Sequence, residues 1–196
     1  MYHLYQTEAL VLGGEPHGEG SRRLTLFTRE LGLLSAVAAS VREERSKLRY
    51  GLQNFSYATV SLVRGRDSWR VTNAALVRNL ARSFQDFLEA RELFARVAKL
   101  LRRLLAGEEK NEPLFRAVLE TFAYLEQNRS VSLIAQIEVV LVLRILSLLG
   151  YLAPRKEFEV FLVEPLSWSP ELFGSTAQLR ALALAEINRS LRETQL

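Results

Sequence analysis

Alternation is the feature that most constrains this chain. Phe55 to Val63 sets Phe55, Tyr57, Thr59, Ser61 and Val63 against Ser56, Ala58, Val60 and Leu62, a period of two that suits a half-buried strand and no helix. Ser21 to Arg29 alternates in part, with Leu24, Leu26 and Thr28 against Arg23, Thr25, Phe27 and Arg29. Thr7 to Leu12, Leu33 to Val41 and Trp69 to Val77 are further strand-length runs, and Gly32 and the Arg64-Gly65-Arg66-Asp67 segment supply turns between neighbours. Gly13, Gly14, Pro16, Gly18 and Gly20 read as a turn-rich connection after the first run.

Five short strands within about 75 residues are the size of an OB-fold, a partly open Greek-key barrel that binds oligonucleotides. After Asn79 the period changes to three or four, and Leu, Ala, Arg and Glu dominate. Ser83 is placed to cap a helix from Phe84 to about Ala106, with Phe87, Ala90, Phe94, Val97, Leu101 and Leu104 as its apolar stripe. A second helix runs from Glu112 to about Gln127, and a third opens at Ser130 or Ser132 and ends at Gly150. Residues 154–175 read mostly as loop, and Thr176 as the cap of a last helix to about Arg192. The expected fold is α+β: a five-stranded OB barrel over residues 1–79, then an all-helical domain over residues 80–196.

Charge singles out the first domain. The net charge is +4; residues 1–78 hold 11 Lys and Arg against seven Asp and Glu, and the remainder is balanced at 15 of each. A polyanionic partner would therefore meet the barrel first. Arg22, Arg23, Arg29, Arg42, Arg45, Lys47, Arg49, Arg64, Arg66 and Arg70 all fall there, and a guanidinium fork matches two phosphate oxygens. Tyr50 and Tyr57 are the aromatics most open to base stacking, because Phe27, Phe55 and Trp69 fit a barrel core better.

Catalytic signatures are missing. There is no GxxxxGK[ST], GxGxxG, HExxH or GxSxG, and with His3 and His17 as the only histidines and no cysteine, neither a three-histidine nor a thiolate metal site can form. No enzyme activity, cofactor or metal is expected. The N-terminal ten residues lack a signal-peptide pattern. Val131 to Leu149 is long and apolar, but Gln136, Glu138 and Arg144 interrupt it, so a buried core helix is expected and a membrane partner is not.

The stretch GEGSRRLTLFTRELGLLSAVA, followed by RxxRSKLRxxLQxF from Arg42 to Phe55, resembles the N-terminal domain of the RecO family of bacterial recombination mediators. Glu8, Gly18, Glu19, Leu24, Thr25, Phe27, Thr28, Gly32, Arg42, Ser46, Lys47, Leu48, Leu52, Gln53 and Phe55 carry the likeness. The later VLRILSLLGYLAP, with Leu143, Arg144, Leu148, Gly150, Tyr151 and Pro154, is similar to a helix end of the same family. The resemblance implies a cytoplasmic protein that binds single- and double-stranded DNA and anneals complementary strands. With RecR, it implies help in loading RecA onto DNA covered by single-strand-binding protein (SSB). It also implies a site for the acidic C-terminal tail of SSB, for which Arg102, Arg103 and Arg144 are the basic candidates. Three departures stand out: the family's common four-cysteine zinc site is missing, the region after Pro154 is short, and Ala39 and Glu43 stand where Lys or Arg is usual. They leave room for a second reading, an adaptor of the same fold acting mainly through protein contacts with weak DNA binding.

Overall fold

The structure, a computed structural model, describes residues 3–66 and 68–194. Asp67, the last residue of the expected hairpin turn, lies outside the described residues. By internal packing the chain divides into two compact units, Met1–Phe115 and Arg116–Leu196. The OB barrel forms the bulk of the first, and helices α1 (Leu80–Ser83) and α2 (Leu88–Leu104) belong to the same unit as the strands.

Five strands, β1 (Leu4–His17), β2 (Ser21–Thr28), β3 (Gly32–Ala38), β4 (Ser56–Arg64) and β5 (Trp69–Asn79), close into a barrel in the order β1-β2-β3-β5-β4. Strand β1 closes it by pairing twice: Leu4 to Leu10 lie against β4, and Ala9 to His17 against β2. The glycines after Leu12, expected to form a turn, lie inside this strand. A register shift between Val11 and Gly13 bends it, and a methyl group on Gly14 would stand 2.6 Å from Leu24 Cδ2 and 2.9 Å from the Arg23 carbonyl oxygen. The glycines thus permit a bulge and a close approach of strands, and the turn itself falls at Gly18 to Gly20.

Alternation in β4 translates directly into burial: Ser56, Ala58, Val60 and Leu62 point inward, together with Ala9, Val11, Leu24, Leu26, Leu34, Ala36, Trp69 and Val71. Phe27 leaves this core for the other side of the sheet, where it meets Phe115 with ring centroids 5.3 Å apart. Phe55 packs likewise on Phe94 at 4.4 Å. Between β2 and β3, Gly32 adopts φ +67 and lies under the backbone of Glu109; a methyl there would be 2.2 Å from the Glu109 carbonyl oxygen.

The expected helix from Phe84 is broken. Asn79 caps the short α1, accepting from the Arg82 N–H through its side chain, and Phe84 and Phe87 turn inward before α2 begins at Leu88. The predicted stripe from Ala90 to Leu104 is buried as expected. Helix α3 (Glu112–Gln127) starts where Asn111 Oδ1 accepts the Leu114 N–H at 3.0 Å.

In the second unit, a 3-10 turn (Val131–Leu133) leads into α4 (Ile134–Leu148). By length and composition the run from Val131 to Leu148 passes for a membrane span. Within its unit it is the core helix, with Ile137, Val140, Leu141, Leu143, Ile145 and Leu146 fully buried. A second 3-10 turn (Lys156–Phe158) and the short α5 (Glu159–Leu162) follow. The last helix, α6 (Pro170–Glu193), begins two turns earlier than Thr176. Ser169 caps it, accepting from the Leu172 N–H, and Pro170 takes the first helical position, where its missing N–H costs nothing. Thr176 instead donates its hydroxyl to the Leu172 carbonyl at 2.7 Å.

Candidate nucleic-acid interface

Residues 39–55 connect β3 to β4 without regular structure, as a series of tight turns. Three apolar side chains hold this connection to the barrel: Val41 and Leu52 are buried in the core cluster, and Leu48 packs against it. Backbone bonds pin both ends, Arg42 N–H to Gly20 O at 3.0 Å and Phe55 N–H to Val11 O at 2.9 Å. Because Val41, Leu48 and Leu52 face inward, Arg42, Arg45, Lys47, Arg49 and Tyr50 face solvent, Tyr50 at 65% exposure. Glu43 leans back over the β1–β2 turn, its carboxylate within 3.2 Å of the place a Gly20 methyl would take.

Arg22 underlies this group. It donates to Asn54 Oδ1 at 2.8 Å and to the carbonyls of Leu52 and Gly14, each at 3.3 Å. Partial burial, and then the positive charge of Arg42, lower its pKa. Arg22, Arg42 and Arg49 line one open cleft with Val41, Leu52 and Gln53. Cations gathered at the same opening repel one another, so an anion entering it relieves that repulsion as well as gaining hydrogen bonds.

Other predicted cations are already engaged. Arg29 is bound by Glu8 at 3.0 Å and by Glu112 at 2.5 Å, and both carboxylates raise its pKa, that of Glu112 first. Arg64 pairs with Glu108 and lies over the Trp69 ring, 5.0 Å from its centroid. Tyr57 is half-buried: its hydroxyl donates to Glu8 Oε1 at 2.6 Å and its ring lies near Phe115. Burial, and then the Glu8 carboxylate, push its pKa up to about 12. Arg23, Arg66 and Arg70 stand apart from the connection. Arg23 lines clefts over β2 and β3, Arg66 lines one of these, and Arg70 is exposed on β5 opposite Val37.

The three cations expected at a peptide-tail site fall in different units, Arg102 and Arg103 in the first and Arg144 in the second. Arg102 donates to the Leu12 carbonyl at 2.9 Å and lines a cleft beside β1, and Arg103 is exposed on the same helix. Arg144 is 3% exposed and donates to the carbonyls of Phe161 and Val163 and to Glu164. It is a core residue of the second unit, not a surface cation, because its guanidinium is spent on closing the chain around α5. Among the described residues no group of three His, Asp or Glu side chains is placed to hold a metal ion.

Residues 1–80, the barrel and its last strand, match the family model described as recombination protein O N terminal. Over 196 aligned residues the chain is 30% identical to the DNA repair protein RecO of Pelotomaculum thermopropionicum, an alignment that covers 97% of this chain and 75% of the relative. The chain belongs to the RecO family. It is also 33% identical to the RecO of Thermodesulfovibrio yellowstonii over 76% of this chain and 58% of the relative. With the RecO of Heliobacterium modesticaldum it shares 44% identity over 40% of this chain and 29% of the relative. The chain thus spans less than two thirds of the length of these two RecO relatives. In this RecO-family chain Glu108 gained significance only from the fold, and Arg102, read from sequence as part of a peptide-tail site, gained a different one. Both come from the helical segment, yet both line clefts on the barrel face. Nothing local in GEEKNE or KLLRRL announces that.

Proposed function

We propose that this RecO-family chain serves DNA repair and recombination as a binding protein, gripping single- and double-stranded DNA through the barrel and annealing complementary strands. The observation that carries this reading is the solvent-facing set Arg42, Arg45, Lys47 and Arg49, held out by Val41, Leu48 and Leu52 beneath. A loop anchored by its apolar residues presents its cations with little ordering cost on binding. Neutralising phosphates of two strands on one surface reduces their mutual repulsion, which is the physical basis for annealing. No catalytic step is part of this reading. The proposed setting is cytoplasmic, with RecR and SSB as partners and RecA loading as the outcome.

Fluorescence anisotropy of labelled single-stranded DNA against salt tests the grip. If about five phosphates are engaged, log K falls with log salt at a slope near −3.5. Replacing Arg45, Lys47 and Arg49 together by alanine should remove about 2 from that slope, at roughly 0.7 per phosphate, and should slow annealing. An affinity indifferent to both salt and the triple replacement would sink the reading. In its place would stand the adaptor, which the neutralisation of Arg29 by Glu8 and Glu112 and of Arg64 by Glu108 favours.

A further inference from the structure

Strand β5 has one edge that the barrel barely uses. β3 pairs with it in parallel where Ala36 meets Trp69 and Val37 meets Arg70, and then turns away into the β3–β4 connection. Beyond Arg70, among the described residues, β4 alone pairs with β5. Thr72, Asn73, Ala75, Leu76, Val77 and Arg78 are all exposed, so neither face of this half of the strand is covered. The connection touches it by packing: Gly51 lies on Ala74, and a methyl on Gly51 would be 3.1 Å from the Ala74 Cβ. Tyr50 and Leu76 stand one and two residues from that contact, 65% and 44% exposed, and Val77 beside them is 53% exposed.

Open strand edges are usually blunted by charge, proline or bulges, because they template pairing with other chains. Here register shifts between Ser61 and Leu62 and between Tyr57 and Ala58 leave Thr72 and Val77 as bulges on β5. They bound a regular run, Asn73 to Leu76, in which no charge and no proline stands guard. Charge selects the occupant. Residues 69–79 hold Arg70 and Arg78 and no carboxylate, and the connection alongside presents Arg45, Lys47 and Arg49 to solvent. Its carboxylates, Glu43 and Glu44, precede these cations, and Glu43 leans away toward Gly20. A second copy would set the same cations against each other, and a nucleic acid has no alternating N–H and C=O groups to extend a sheet. We propose that the open edge of β5 takes up an extended acidic segment of another protein as an added strand. Main-chain bonds form along Asn73 to Leu76, apolar side chains of the segment rest on Tyr50, Leu76 and Val77, and its carboxylates face the flanking arginines. This goes beyond the DNA-binding reading and rests on a different chemistry, main-chain pairing.

The probe is a short labelled peptide of alternating Glu and Val, blocked at both ends and titrated into the full chain by anisotropy at low salt. It should bind, and amide hydrogen exchange across residues 73–76 should slow when it does. Leu76→Glu, at a position already half-exposed, should weaken binding about tenfold, the scale of one partly buried leucine contact. The same peptide N-methylated at every residue keeps its charge but has no N–H to give, and should not bind. If the methylated peptide binds as well as the parent, or exchange across 73–76 is unchanged, only charge attraction is present and the added strand is wrong. Failure of the parent peptide to bind overturns the proposal as well. A chain that sediments as a dimer, ignores the peptide and falls to monomer on Leu76→Glu would assign the edge to a second copy instead. None of these outcomes bears on whether labelled DNA binds, so the two readings stand or fall separately.

Discussion

Arg22 of β2 donates to the side chain of Asn54 at 2.8 Å, tying the barrel wall to the last turn of the β3–β4 connection. With its bonds to the Leu52 and Gly14 carbonyls, one guanidinium joins three segments of chain. The same residue that the sequence offers as a phosphate ligand is therefore also a structural tie. Arg22→Ala should destabilise the protein by about 2 kcal/mol, the scale of hydrogen bonds to a charged group, whereas Arg45→Ala should leave stability within about 0.5 kcal/mol as an exposed substitution. Urea unfolding of the two variants separates the roles.

Tyr57 should titrate late for a tyrosine. Its pKa is raised from 10.0 to about 12, first by burial and then by the Glu8 carboxylate. A folded-state pKa above the unfolded one stabilises the fold fully below the unfolded value, and that contribution is lost as pH rises through the folded value. Stability should thus fall between about pH 10 and 12. Tyr57→Phe should remove both the late phase of tyrosinate absorbance and this part of the alkaline loss.

Glu112 predicts the opposite limb. The hydrogen bond from Arg29, then its charge, hold this carboxylate below its ordinary 4.5. A depressed pKa contributes stability above the unfolded value and loses it as pH falls through the folded value. Melting temperature plotted against pH should therefore drop less steeply on the acid side in Glu112→Gln than in the parent. An unchanged acid limb would show that the pairing contributes nothing to stability.

Arg144→Ala should be costly for the second unit. It strands the carbonyls of Phe161 and Val163 and, among the described residues, leaves Glu164 paired with Arg116 alone, at 2.6 Å. Removing one member of a largely buried, hydrogen-bonded ion pair costs about 3 kcal/mol. Thermal unfolding measures the loss. Arg103→Ala, on an exposed position of α2, should lose little.

The barrel was legible because its signals are local. Alternation from Ser56 to Leu62 showed β4 as a strand with two distinct faces, though Phe55 and Phe27, read as barrel core, pack on Phe94 and Phe115 instead, and short glycine turns gave the strand count. The course of β1 was not: Gly13 and Gly14 look like a turn, and only contact with Arg23, Leu24 and Arg102 explains them as a bulge. Helix starts failed at both expected caps. Ser83 and Thr176 are good caps by type, yet Ser83 ends the short α1 that Asn79 caps, α2 starts after Phe87 with no side-chain cap, and Ser169, with Pro170 behind it, caps α6. Among the site residues, the cations of the β3–β4 connection were readable from their density. The silencing of Arg29 and Arg64 was not, because Glu112 and Glu108 lie 83 and 44 residues away in sequence.

The double pairing of β1 also sets an order of events during synthesis. On one edge, residues 4–10 pair with β4, at 57–63, and β4 in turn needs β5, which ends at Asn79. Pairings of such sequence separation form late and slowly. A nascent chain whose first strand has left the ribosome therefore carries an open apolar edge through some sixty further residues of translation. During that interval Val11, Leu24 and Leu26 have no core to enter, and the cations of the β3–β4 connection emerge before the barrel that will support them.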